Sequence, residues 1–189
     1  MSVIEGLKEM FSLLDKIADS MSDVITVSKE NGAYKKPDVK ELMYEDLLQF
    51  LLYLAAADCF ISDEESEFIE EYLGYSINPQ EMKARILREN LKELPDTFPT
   101  SFQLFVELDE ALVKSGLDKK VTASNALYNL YRSLGKCFIN FDGECTDREE
   151  LQLALYLQIL REFRQERLEI GKDLIEDLKD GISGGVALY

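Results

Sequence analysis

Histidine is missing altogether from the 189 residues. Its absence removes imidazole as a general base, as a zinc ligand and as a switch near neutral pH. Cysteine is scarce. Cys59, Cys137 and Cys145 are an odd set with no Cys-x-x-Cys spacing. This argues against a disulfide framework and a Cys-rich zinc site, and it makes a cytoplasmic protein with reduced thiols the expectation. Basic residues are outnumbered, 21 Lys and Arg against 37 Asp and Glu, for a formal charge of −16. Nucleic acid and anionic membrane surfaces recruit clustered Lys and Arg, so neither is expected as a partner. Cations and basic protein surfaces are.

Long hydrophobic runs are lacking too. A bilayer span needs roughly 20 apolar residues, and the longest candidate here, from Leu47 to Ala57, is shorter and holds Gln49. The chain opens Met1-Ser-Val-Ile-Glu-Gly, without a basic region ahead of an apolar run, so no secretory leader is expected. No stretch alternates apolar and polar residues as a half-buried strand does. A Gly-rich phosphate loop, a nucleophile elbow and a catalytic triad are all missing, so enzymatic activity is not expected.

What is present is helical periodicity. Ile4, Leu7, Met10, Phe11, Leu14, Ile17, Ala18, Met21, Val24 and Ile25 recur at threes and fours and predict a first amphipathic helix to about Val27. The polar Ser28–Pro37 stretch, with Asn31-Gly32, reads as a loop. Asp38 and Glu41 open a second helix as a capping box does. Its segment Leu47–Ala57 is apolar almost all round, which places it at the centre of the domain. A third helix follows Ser62 and stops at Gly74. Asn78-Pro79-Gln-Glu81 starts a fourth, expected to run to about Leu94. Thr100 and Gln103 start a fifth, ending at Ser115-Gly116. A sixth is expected from Asp118 to about Ile139, and a seventh from Asp147 to about Phe163, with a polar continuation toward Leu178 and a fraying tail. The expected fold is an all-α bundle of about seven helices. Its core unit spans 37–165, flanked by an N-terminal helix and loop, 1–36, and a C-terminal extension, 166–189.

One motif occurs twice. Asp58-Cys-Phe-Ile-Ser62-Asp-Glu-Glu65 and Asp142-Gly-Glu-Cys-Thr146-Asp-Arg-Glu149 share the pattern Asp-x-x-x-Ser/Thr-Asp-x-Glu at an offset of 84 residues, from Asp58 to Asp142. The same offset pairs Leu54 with Phe138, Ile69 with Leu153, Tyr72 with Tyr156 and Leu73 with Leu157. The repeated unit is helix, acidic elbow, helix, and it predicts an internal pseudo-twofold. Capping accounts for most of the motif. The hydroxyl takes the amide three residues on, Glu reaches back, and Asp63 and Asp147 suit the positive pole of the helix dipole. Capping leaves Asp58 and Asp142 unexplained. With Glu65 and Glu149 they make four carboxylates suited to a hard divalent cation, Ca²⁺, Mg²⁺ or Mn²⁺, if packing brings the elbows together.

Leu54-Ala-Ala-Ala-Asp58 followed by Ser62-Asp-Glu-Glu65, and Phe141-Asp-Gly143 followed by Thr146-Asp-Arg-Glu149-Glu150, resemble the tellurite-resistance TerB-like family over roughly 40–165. The resemblance implies a helical bundle with internal pseudo-symmetry and a stress- or tellurite-related role. It also implies metal binding by acidic residues at the matching positions Asp58, Glu65, Asp142 and Glu149. Cys59 departs from the family's usual Gly. Two functions follow from the residues. In one, the elbows converge on a cation. In the other, they only cap helices, and an acidic surface docks a basic protein. An apolar groove beside an elbow would favour the second. The three cysteines would form a thiol site only if folding gathered them. The run Arg161, Arg164 and Arg167 with Glu162, Glu166 and Glu169 reads as a solvated helix face.

Overall fold

The computed structural model describes residues 3–24, 38–57, 61–116, 122–141, 143 and 145–168. Among the described residues there are seven α-helices and no strand. They are α1 (Val3–Val24), α2 (Val39–Ala55), α3 (Asp63–Leu73), α4 (Pro79–Arg88), α5 (Thr100–Lys114), α6 (Ala123–Phe138) and α7 (Asp147–Arg167). A 3₁₀ turn, Leu91–Asp96, links α4 to α5. The all-α expectation holds.

α2 packs against every other helix and the 3₁₀ turn. This follows from its composition. From Leu47 to Ala55 only Gln49 is not buried, so the helix needs apolar cover on all sides. The densest packing is aromatic. Phe50 of α2 stacks on Tyr156 of α7 at 4.9 Å between ring centroids and meets Tyr131 of α6 edge-on at 5.1 Å. Gly135 of α6 lets the three helices close. A Cβ there would lie 2.6 Å from a Leu153 methyl and 2.8 Å from the tip of the Phe50 ring. α1 packs on α2 and α6, and Leu7, Phe11, Leu14, Ala18 and Met21 enter the same core.

The starts of the helices divide into two kinds. α3, α4 and α7 carry their own capping boxes, Ser62 with Glu65, Asn78 with Glu81 and Thr146 with Glu149. α5 and α6 have no side-chain cap at their own N-cap residues, Pro99 and Thr122. A preceding helix supplies the carboxylate instead. Asp46 of α2 accepts from the Ser101 amide at 2.7 Å and the Ser101 hydroxyl at 2.6 Å. Asp109 of α5 accepts from the Ala123 and Ser124 amides at 2.9 and 2.7 Å. α2 has both kinds, with Asp38 taking the Glu41 amide and Ser22 of α1 taking that of Val39.

Three boundaries differ from the sequence expectation. α4 stops at Arg88 rather than near Leu94, because Asn90 takes a left-handed conformation (φ 50°) and the chain tightens into the 3₁₀ turn that contains Pro95. Thr100 is the first helical residue of α5, not its cap, and Gln103 donates instead to the Phe98 carbonyl. α6 starts at Ala123, where Asp109 fixes it; the expected start at Asp118 lies outside the described residues.

Candidate functional site

Both elbows punctuate helices as their residues demand. Glu65 accepts from the Ser62 amide at 2.8 Å while its own amide donates to the Ser62 hydroxyl at 3.1 Å. Glu149 accepts from the Thr146 amide at 2.7 Å and the Thr146 hydroxyl at 2.8 Å, and its amide donates back at 3.3 Å. Both glutamates are buried, 6% and 8% exposed. Each therefore directs one carboxylate oxygen into its own cap. Asp58 and Asp142, the carboxylates that capping leaves over, lie outside the described residues, as does Cys59. Among the described residues no three Asp, Glu or Cys side chains gather in a way that could hold a metal ion.

Three of the four pairs matched by the 84-residue offset agree in burial. Leu54 and Phe138, Ile69 and Leu153, and Leu73 and Leu157 are all in the core. Tyr72 and Tyr156 differ, the first half-buried and stacked on Phe68, the second enclosed by Phe50 and Tyr131. α3 also stops at Gly74 while α7 continues to Arg167. The correspondence is thus one of position and burial, and a spatial twofold stays an expectation from the sequence.

Beside the first elbow the surface is apolar. The last turn of α2 and the outer face of α7 form a shallow groove of about 420 Å³, lined by Tyr53, Ala56, Ala57, Leu151 and Leu155, with Arg148 as its one charged lining residue among those described. Gln152 forms part of the lining and donates to the Tyr53 carbonyl at 2.8 Å, which ties α7 to the end of α2. Leu151 and Leu155 are 60% and 48% exposed, one helical turn apart. The cause is visible along α7. Leu153, Tyr156, Leu157 and Leu160 face the core, yet Leu151, Ala154 and Leu155 make the opposite side apolar as well. A helix apolar on two faces is satisfied only when both are covered. Sequence reading noted the apolar girdle of α2 and overlooked that of α7; the run Leu151 to Leu160 carries the same signal.

A polar cluster also escaped notice. Arg164, read as part of a solvated face, donates to the Ser124 hydroxyl and the Thr122 hydroxyl, both at 2.9 Å, at the capped start of α6. Burial lowers its pKa, and the nearby Asp109 carboxylate opposes that shift. Arg167 pairs with Glu110 of α5. Cys137 is half-buried, with its thiol pKa raised by desolvation, the behaviour of a packing residue rather than a reactive thiolate. Cys145 lies 3.9 Å from the Glu150 carboxylate, beside the second elbow.

Among the described residues no helix is long and apolar enough to cross a membrane. No protein-family model, curated protein or solved structure matches the chain, so the TerB-like resemblance rests on the elbow residues alone.

Proposed function

We propose that the chain is an acidic helical interaction module, non-enzymatic and cytoplasmic, that receives a basic amphipathic helix at the groove between the end of α2 and the outer face of α7. The single observation that carries this reading is the exposed pair Leu151 and Leu155 against Tyr53, Ala56 and Ala57 beside the first elbow. A helix with apolar anchors three and four residues apart fits such a surface. The charge of −16 and the exposed Asp147 and Glu150 in the first turn of α7 favour a basic partner. Cation binding by the elbows draws less support, because Glu65 and Glu149 are engaged in caps. The TerB-like resemblance would place such a module in a stress response.

Fully burying a leucine stabilises by about 1.5–3 kcal/mol, so covering two that are half exposed is worth roughly 2 kcal/mol in total, or about thirtyfold in affinity. The test is an NMR titration of the labelled protein with a basic amphipathic helical peptide and with an acidic peptide of equal hydrophobicity. Shifts should centre on Ala56, Ala57, Leu151, Gln152 and Leu155, appear only with the basic peptide, and weaken in salt. Leu151→Gln with Leu155→Gln should reduce the affinity about thirtyfold. Equal binding of both peptides, or shifts centred elsewhere, would overturn the reading.

A further inference from the structure

Two apolar grooves open on the described surface. One, of about 610 Å³, lies between α1 and α5, which both pack on α2 and α6, and is lined by Ile17, Met21, Val24, Leu104 and Leu108. The other is the groove beside the first elbow, and its α7 wall is complementary to itself.

α7 turns by about 100° per residue, so Arg148, Leu151, Leu155 and Glu162 share one strip of its outer face, roughly 60° wide. All four are exposed. The strip reads cation, two leucines, carboxylate from its N-terminal to its C-terminal end. Arg148 and Glu162 form no ion pair among the described residues, and Glu162 accepts from Gln158, one turn before it, at 2.8 Å. Asp147 and Arg161, both exposed, border the edge of the strip that lies away from α2.

Turned end for end, such a strip matches its own pattern. A second α7 laid antiparallel brings Leu151 and Leu155 onto Leu155 and Leu151 of the other copy. In the same register Glu162 of that copy comes within one helical turn of Arg148, inside the reach of the two long side chains. On the bordering edge Arg161 of one copy meets Asp147 of the other. A twofold axis makes each of these contacts twice, as an isologous interface requires. The small Ala56 and Ala57 on the α2 wall leave room for the second helix. Each copy carries −16, so two copies repel at long range, and salt screens that repulsion. A basic partner gains from the same charge. The two uses of the groove therefore respond to salt with opposite sign.

We propose that the outer face of α7 pairs antiparallel with α7 of a second copy, with Leu151 and Leu155 packed on Leu155 and Leu151 and Arg148 set against Glu162, and that a basic partner displaces this pairing. The proposal rests on the reading of this groove as a docking surface and names what shields its leucines while the partner is absent.

Sedimentation equilibrium of the full chain over a concentration series reads the association. The wild type should dimerise reversibly, and more tightly in high salt. Arg148→Glu and Glu162→Arg, both at exposed positions, should each weaken the dimer about tenfold, since each turns two attractive pairs into repulsive ones. The first makes the chain more negative and the second less, so mere repulsion would move them in opposite directions. An equal mixture of the two variants restores opposite charges at every pair and should dimerise as the wild type does. The basic amphipathic helical peptide should return the wild type to monomers in low salt. A chain that stays monomeric at every concentration in high salt would overturn the proposal, as would a mixture that fails to recover the dimer or dimers that persist with the peptide bound. Peptide-induced shifts at Leu151 and Leu155 in a chain that stays monomeric would leave the docking reading standing alone, so the two fail separately.

Discussion

Asp46 offers the sharpest test of how the bundle is held. Its carboxylate is the only side-chain cap described for α5, whose first turn has no acidic residue of its own. Asp46→Ala removes that cap, which costs about 1 kcal/mol in typical hosts. It also strands the amide and hydroxyl of Ser101, itself 0% exposed. An orphaned buried donor costs about 1–3 kcal/mol. Against this stands the relief of a desolvated charge. Burial raises the pKa of Asp46 above its ordinary 3.8, outweighing the Ser101 and Thr100 hydrogen bonds that lower it. The net expectation is a loss of about 2–3 kcal/mol for Asp46→Ala and a change within about 1 kcal/mol for Asp46→Asn, which keeps an acceptor. Urea unfolding followed by far-UV circular dichroism, with an unchanged m-value, measures both. The pH dependence has a definite sign. The folded state holds the Asp46 proton more tightly than the unfolded chain, so the wild type gains stability relative to Asp46→Asn as pH falls through the folded-state pKa. In a double-mutant cycle, Ser101→Ala should cost less on the Asp46→Ala background than on the wild type. Equal stability of wild type and Asp46→Ala, or a wild type that loses ground to Asp46→Asn on acidification, would refute the trans-cap.

Other outcomes follow from the same geometry. Ser62→Ala and Thr146→Ala should each cost about 1 kcal/mol in chemical denaturation, since each removes the hydroxyl of a complete capping box. Tyr156→Phe should leave the melting temperature unchanged or raise it, because the Tyr156 hydroxyl is buried without a hydrogen-bond partner among the described residues; a loss of 1 kcal/mol or more, as for a broken hydrogen bond of about that size, would reveal an ordered water bonded to it. Ca²⁺ or Mn²⁺ should raise the melting temperature no more than Na⁺ does at equal ionic strength, because Glu65 and Glu149 are held in caps; a cation-specific rise that Asp142→Asn weakens would restore the four-carboxylate site.

The fold was legible where its causes are local. Ser62 with Glu65, Asn78 with Glu81 and Thr146 with Glu149 each place donor and acceptor within four residues, so the pattern and the bond coincide. The all-round apolar run of α2 likewise announced its central place, because no exposed helix sustains it. The misread starts are those set by tertiary contacts. Thr100 and Gln103 imitate a box, yet the carboxylate that caps α5 lies 55 positions before Ser101. α6 takes its cap from Asp109, 15 positions before Ser124, and Arg164 reaches its Thr122 from 42 positions away. No window along the chain contains both partners of such a bond, so periodicity and cap patterns are blind to them.

The candidate sites divide along the same line. A motif made of consecutive residues draws the eye to the elbows, yet two of its four carboxylates are used by the backbone next to them. The exposed surfaces are assembled instead from residues far apart in the chain. Leu151 and Leu155 become a groove because α7 packs on the end of α2, where Gln152 bonds to Tyr53, 99 positions earlier. Val24 and Leu108 become a groove only because α1 and α5 share the floor made by α2 and α6. In both places the sequence shows too many apolar residues for one buried face, and that surplus is the readable trace of an exposed apolar surface. α7 has it between Leu151 and Leu160. An apolar surplus on an acidic chain costs solubility unless something covers it. The two grooves are therefore the surfaces at which a partner is best sought.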